Sequence, residues 1–143
     1  MTTLKQILAG RTRPLAFVAP GDTIFHALTV MAEHDIGAVL VLDDKKLVGI
    51  FSERDYARRM VLHGKTSRDT AVREVMTERV AYVTPATTLD ESMALMTEKR
   101  FRHLPVLDED GSVLGIVSIG DMIKETIRSQ RFLIEELERY IAG

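Results

Sequence analysis

Apolar positions in this chain fall into short blocks that switch between helical and strand spacing, and the succession of blocks runs twice. Leu4, Ile7 and Leu8 have helical spacing, as do Val72, Val75 and Met76, so each half is predicted to open on a short helix, Leu4 to Ala9 and Val72 to Thr77. Extended pieces follow at Ala16 to Ala19 and Val80 to Thr84, each stopped by a proline that disfavours helix in the residue before it. Thr23 and Thr88 are predicted N-caps, and Thr88 with Glu91 has the spacing of a capping box. Ile24, Leu28 and Met31 then line one helical face, matched by Leu89, Met93 and Met96, and both stripes are read as core.

Ala38 to Leu42 is apolar at every position, which predicts a strand covered on both faces. Its counterpart, Leu104 to Leu107, carries Pro105, which cannot donate to a ladder and so predicts an edge or a cavity on that side. Polar turns at 43–46 and 108–111 lead into strands that contain Gly49 and Gly115, and further helices begin near Asp55 and Asp121. Each half thus reads helix, strand, helix, strand, strand, helix.

One constant offset pairs Pro20 with Pro85, Thr23 with Thr88, Met31 with Met96 and Val41 with Val106; beyond the turn it grows by one residue, a cheap insertion for a surface loop. The best-matched stretch is LVGIFSERD at Leu47 to Asp55 against VLGIVSIGD at Val113 to Asp121, where glycine, serine and aspartate recur while their neighbours drift. The expected division is 1–68 and 69–143, joined near a polar connection at 65–71. The last helix outruns its counterpart through Ile123, Ile127, Leu133, Ile134, Leu137, Tyr140 and Ile141; this face is read either as packed on its own domain or as a dimer seam.

Composition narrows the function classes. At 143 residues, 45% hydrophobic and 28% charged, the chain is ordinary for a folded globular protein. It has no cysteine, which removes disulfides, thiolate metal sites and a thiol nucleophile. No apolar run approaches the about 20 residues that span a bilayer, and the N-terminus lacks a secretory core, so a cytoplasmic setting is expected. A net charge of −2 argues against a general nucleic-acid surface. No phosphate-binding glycine loop, hydrolase elbow or metalloprotease motif occurs, and no catalytic residue is assigned. His26, His34 and His63 lack metal-site spacing and are expected at the surface, while Asp108-Glu109-Asp110-Gly111 is read as a turn, not a calcium loop.

These motifs resemble a tandem pair of CBS domains, a Bateman module: VREVMTERVAYVTP before the second core, FRHLPVLDEDGSVLGIVSIGDM within it, and the weaker IGAVLVLDDKKLVGIFSERDY in the first. The resemblance covers nearly the whole chain. It implies an α/β fold of two pseudo-twofold-related repeats, each a small three-stranded sheet with flanking helices, here with an extended C-terminal helix. It also implies clefts between the repeats for an adenosine-containing ligand such as AMP, ADP, ATP, NAD(H) or S-adenosylmethionine, with occupancy reported by a change of shape.

Chemistry gives those assignments a physical basis. A carboxylate can accept from both vicinal ribose hydroxyls and a serine can add a contact, which assigns Ser52 with Asp55 and Ser118 with Asp121 to ribose. The same Ser-x-x-Asp is also a helix-capping pattern, and one copy alone would favour that reading. By resemblance Thr84 joins the ribose contacts, with Ala19 in its place in the first half. Ile36, Gly37 and Ala38, and Leu104, Pro105 and Val106, are expected to form the base slot, with ordinary core as the competing reading. By resemblance phosphate falls to Arg102 and His103, just before the Leu104-Pro105-Val106 strand, with Arg100 close by; Arg54 is a further candidate, and Arg58, Arg59, Lys65 and Arg68 are left to a solvated face.

The expectation is a non-enzymatic adenine-nucleotide sensor, a homodimer that signals to a regulated protein partner. The alternative is a structural dimerisation module with vestigial clefts. Nucleic-acid binding ranks third.

Overall fold

The computed structural model describes residues 1–11 and 14–142. Helix α1 (Leu4–Ala9) leads to strand β1 (Phe17–Val18), helix α2 (Ile24–His34) and the hairpin β2 (Ala38–Asp43) and β3 (Lys46–Ser52). A helical turn α3 (Glu53–Asp55) runs on as a wide π turn over Tyr56–Met60 and a tight 3₁₀ turn over Val61–His63. The second half has a 3₁₀ turn at Val72–Glu74, helix α4 (Leu89–Lys99), the hairpin β4 (His103–Leu107) and β5 (Val113–Ser118), and the long helix α5 (Ile119–Ala142).

The repeat is visible in local geometry. Both hairpins carry a register shift at one place, after Val41 in β2 and after Val106 in β4, opposite Gly49 and Gly115. Thr23 and Thr88 each accept from the backbone N–H three residues on, and α2 and α4 each end on a left-handed residue, Asp35 and Arg100. In the first half β1 lies parallel to β2 and completes a three-stranded sheet. In the second half the expected third strand shrinks to one bridge, Val83 to Val106, so β4 and β5 stand as a pair.

Pro105 fits this arrangement without cost to the hairpin. Its carbonyl accepts from Val83 (3.0 Å), and a residue's N–H and C=O point to the same side of a strand, so the donor it lacks would have faced Val83 and not β5. Pro105 is nevertheless buried, flanked by Leu104 and Val106, both fully so.

The halves interlace. Helix α1 closes the second core: Leu4 N–H donates to Thr87 C=O, Lys5 N–H to Pro85 C=O, and Leu4 is buried with Val83, Leu89, Met96, Leu104 and Met122. In exchange, Val72 and Val75 complete the first core with Ile24, Met31, Val41 and Phe51, and Val72 N–H donates to Asp22 C=O. The predicted helix at 72–77 is therefore one turn only. Beyond it Thr77 turns extended and pairs with Ile50 in both directions (2.8 and 3.0 Å), bonds that a continuing helix would forfeit.

Candidate functional site

Both Ser-x-x-Asp motifs form reciprocal helix caps. Ser52 N–H donates to Asp55 Oδ2 (3.0 Å) and Asp55 N–H to Ser52 Oγ (3.2 Å); Ser118 N–H donates to Asp121 Oδ2 (2.8 Å) and Asp121 N–H to Ser118 Oγ (3.1 Å). Capping orients each carboxylate and leaves lone pairs for other donors, so the capping and binding readings are compatible. What separates the two motifs is their surroundings.

Asp121 and Ser118 open onto a cleft of about 680 Å³, within the range that small-molecule sites occupy. Its opposite wall comes from the first half, at Ile36, Gly37 and Ala38 on the approach to β2. Arg11, from the segment after α1, reaches in and donates through Nη2 to Asp121 Oδ2 (2.7 Å) and through Nη1 to Ile116 C=O. His103 lies across the seam between halves: a Cβ on Gly37 would stand 3.7 Å from its Nε2 and 3.9 Å from the Glu53 carboxyl carbon. Burial pushes the His103 imidazole below its ordinary value, opposed by Asp121 and Glu53 and assisted by Arg102. Lys124, one turn along α5 from Asp121, His34, whose Nδ1 lies 3.0 Å from Val30 C=O, and Asp35 beside it also line the cleft.

The equivalent place in the first half is filled. Met76 and Thr77 lie against β3, so that a Cβ on Gly49 would stand 2.5 Å from Met76 Sδ, and Thr77 Oγ1 donates to Asp55 Oδ1 (3.4 Å). Arg59 Nε stands 3.8 Å from the same oxygen.

Comparison with known proteins gives the arrangement a family. The model of the CBS domain matches residues 4–62 and again 72–128. The chain belongs to the CBS-domain family. It is 38% identical over 127 residues to the CBS domain-containing protein CBSX3, mitochondrial, of Arabidopsis thaliana, covering 85% of this chain and 61% of that protein, so it spans less than two thirds of that relative's length. It is 33% identical to the CBS domain-containing protein YhcV of Bacillus subtilis, covering 78% of each. Among solved structures it is similar to a protein with CBS domains from Burkholderia ambifaria (48% identity, TM-score 0.85, 90% of this chain and 96% of that one). It shares its fold with CBSX2, solved in complex with AMP (24% identity, TM-score 0.74, 91% and 99%).

Within this CBS pair, the residues singled out from sequence divide into four groups. Ser118, Asp121, Ile36, Gly37, Ala38 and His103 come together at the open cleft, with Ile36 to Ala38 of one repeat facing the serine and aspartate of the other. Ser52 and Asp55 sit at the filled place, and Leu104, Pro105 and Val106 are buried strand residues. Thr84, Arg54, Arg100 and Arg102 are exposed and do not line the cleft; Thr84 shares its hydroxyl with Thr87, and Arg100 ends α4. His26 and His63 are exposed as expected, whereas His34 is half-buried in the cleft wall because α2 ends there.

Sequence reasoning missed Arg11 and Lys124. Lys124 carries a signal, a cation three residues past Asp121 on the same helical face. Arg11 carries none, because its place depends on α1 crossing to the other half. Among the described residues no group of histidines and carboxylates could hold a metal ion, and no helix is long and apolar enough to cross a membrane.

Proposed function

We propose that this CBS pair is a non-catalytic sensor that binds one adenosyl ligand per chain, AMP, ADP, ATP or NAD(H), in the cleft built on Ser118 and Asp121. One observation carries the reading: a cleft of nucleotide size sets a capped carboxylate from one repeat against the apolar wall Ile36-Gly37-Ala38 of the other. Asp121 takes the ribose hydroxyls, Ala38 and Ile36 flank the base, and His103 lies toward the phosphate. That CBSX2, of the same fold, was solved with AMP supports the choice of ligand class. Because the ligand touches both repeats, its binding favours one disposition of the halves, and a partner protein reads that state; signalling requires unequal affinity for two states. The setting we propose is cytoplasmic.

The test is a thermal-shift series on unfolded-and-refolded protein with AMP, ADP, ATP, NAD and NADH. A ligand at about 100 times its Kd adds roughly 2.7 kcal/mol, several degrees for a chain of this length. No shift with any of them ends the proposal.

A dimer belongs to the same reading. Ile123, Ile127, Gln130, Ile134, Leu137 and Ile141 alternate spacings of four and three along α5, the heptad seam of a coiled coil, and all are solvent-exposed or half-exposed here. With Ile127 at the first core position, antiparallel pairing sets Arg131 of one chain opposite Glu138 of the other, so the seam complements itself in charge. If Asp121→Ala binds no ligand yet keeps all binding of a partner protein, the interaction-module alternative replaces the sensor.

A further inference from the structure

The pseudo-twofold relation between the halves fails at one pair of acceptors. In the first half Ile50 C=O accepts from the Thr77 backbone N–H (2.8 Å), and Asp55 Oδ1 accepts from the Thr77 hydroxyl (3.4 Å). In the second half Ile116 C=O and the Asp121 carboxylate both accept from one side chain, the guanidinium of Arg11, which shares Asp121 Oδ2 with the Ser118 N–H. Thr77 is held by two backbone bonds to Ile50 and cannot leave without unzipping the chain. Arg11 leaves by side-chain rotation alone, and its ion pair with Asp121 is partly exposed (30% and 37%), a setting in which such pairs are weak.

We infer that Arg11 is the phosphate-selecting residue of the open cleft: it covers Asp121 when the cleft is empty and turns to the ligand's α-phosphate when the ribose hydroxyls take that carboxylate. The inference rests on the adenosyl-ligand reading and adds to it a residue that no motif marks. Three observations converge on Arg11. The guanidinium already lies in the cleft on the carboxylate assigned to ribose. Its rigid fork matches the oxygens of a phosphate, whereas Lys124, the other permanently charged cation of the lining, offers a point charge. Arg54, Arg100 and Arg102, the arginines that sequence alone would nominate, do not line the cleft. The exchange also gives selectivity: adenosine that takes Asp121 from Arg11 offers the guanidinium nothing in return, while AMP supplies a new acceptor.

The experiment is calorimetric titration of AMP and of adenosine into the refolded full chain, for the unaltered protein, Arg11→Ala and Arg11→Lys. The unaltered chain is expected to bind AMP at least about tenfold more tightly than adenosine, and Arg11→Ala to cut that ratio at least fivefold by weakening AMP. Arg11→Lys should keep an intermediate ratio and reports on its own if the alanine variant fails to fold. An unchanged ratio in the variants, or equal weakening of both ligands, overturns the inference and leaves the cleft's ligand class standing. If the unaltered chain binds neither compound, the inference on Arg11 falls, and the ligand reading falls with it only where ADP, ATP, NAD and NADH also give no thermal shift.

Discussion

The Met76 side chain lies against Gly49 so closely that a Cβ there would stand 2.5 Å from its Sδ, 2.9 Å from its Cγ and 3.0 Å from the Thr77 carbonyl oxygen. Gly49 is glycine because the segment after the 3₁₀ turn passes directly over β3. In the second half Leu8 of α1 lies over Gly115 less tightly, 3.0 Å from the same construction through one methyl group. Gly49→Ala is therefore expected to cost about 1–3 kcal/mol by overpacking, since a backbone oxygen as well as a side chain must give way. Gly115→Ala should cost less, within about 1 kcal/mol, and urea unfolding of the two variants side by side checks the order.

The two aspartates are expected to separate stability from binding. Asp55 caps α3 and accepts from Thr77, in a place already filled by the chain. Asp55→Ala should cost about 1 kcal/mol or more of stability, the usual value of a cap, and leave AMP affinity within about twofold. Asp121→Ala loses the comparable bond from Ser118 N–H and also the ribose acceptor, so AMP binding should fall at least about tenfold. Titration of the unaltered chain should saturate at one AMP per chain, and a stoichiometry of two would show that Met76 and Thr77 yield to ligand.

His103 gives the cleft a pH dependence whose direction can be worked out. Its folded-state value lies below the ordinary one near 6.5 because burial disfavours the imidazolium. As pH falls through about 6.5 the unfolded chain takes up the proton first, so the stability present above that pH declines until the lowered folded value is passed. A phosphate beside the ring reverses the preference by stabilising the cation. AMP affinity of the unaltered chain, measured against His103→Gln at each pH, should therefore rise between pH 7.5 and 6.0. The comparison cancels the titration of the nucleotide's own phosphate, and a constant ratio would remove His103 from the phosphate contacts.

Sequence periodicity reached most of the fold because each element is set by neighbours in the chain. The stripes Ile24-Leu28-Met31 and Leu89-Met93-Met96, the threonine caps and the glycine strands all depend on local spacing, and the structure has them in place. Thr77 shows where that logic stops. Its helical context is overruled by two bonds to Ile50, a residue far away in sequence. The cleft was legible only in half. Ser118, Asp121 and Ile36 to Ala38 carry motif or strand signals, but their meeting across repeats, and the arrival of Arg11, follow from α1 crossing to the second core. Nothing in the residues between α1 and β1 announces that exchange.

The length of α5 has its own consequence. Past Ser129 every described residue of the helix is exposed, including Leu133 at 58%, Ile134 at 52% and Leu137 at 53%, so the helix has no cover from its own chain there. Isolated helical extensions are marginal in water, and an apolar seam of this kind gains stability by meeting another. Ile134→Glu with Leu137→Glu places two carboxylates in the proposed seam of each chain, and light scattering after gel filtration should then report a monomer where the unaltered chain is a dimer. AMP affinity should change by less than about twofold, because the substituted residues lie more than two helical turns beyond Lys124 at the cleft. A dimer that survives both substitutions would move the interface off α5, and a monomer that also loses AMP would show that the cleft depends on the paired state.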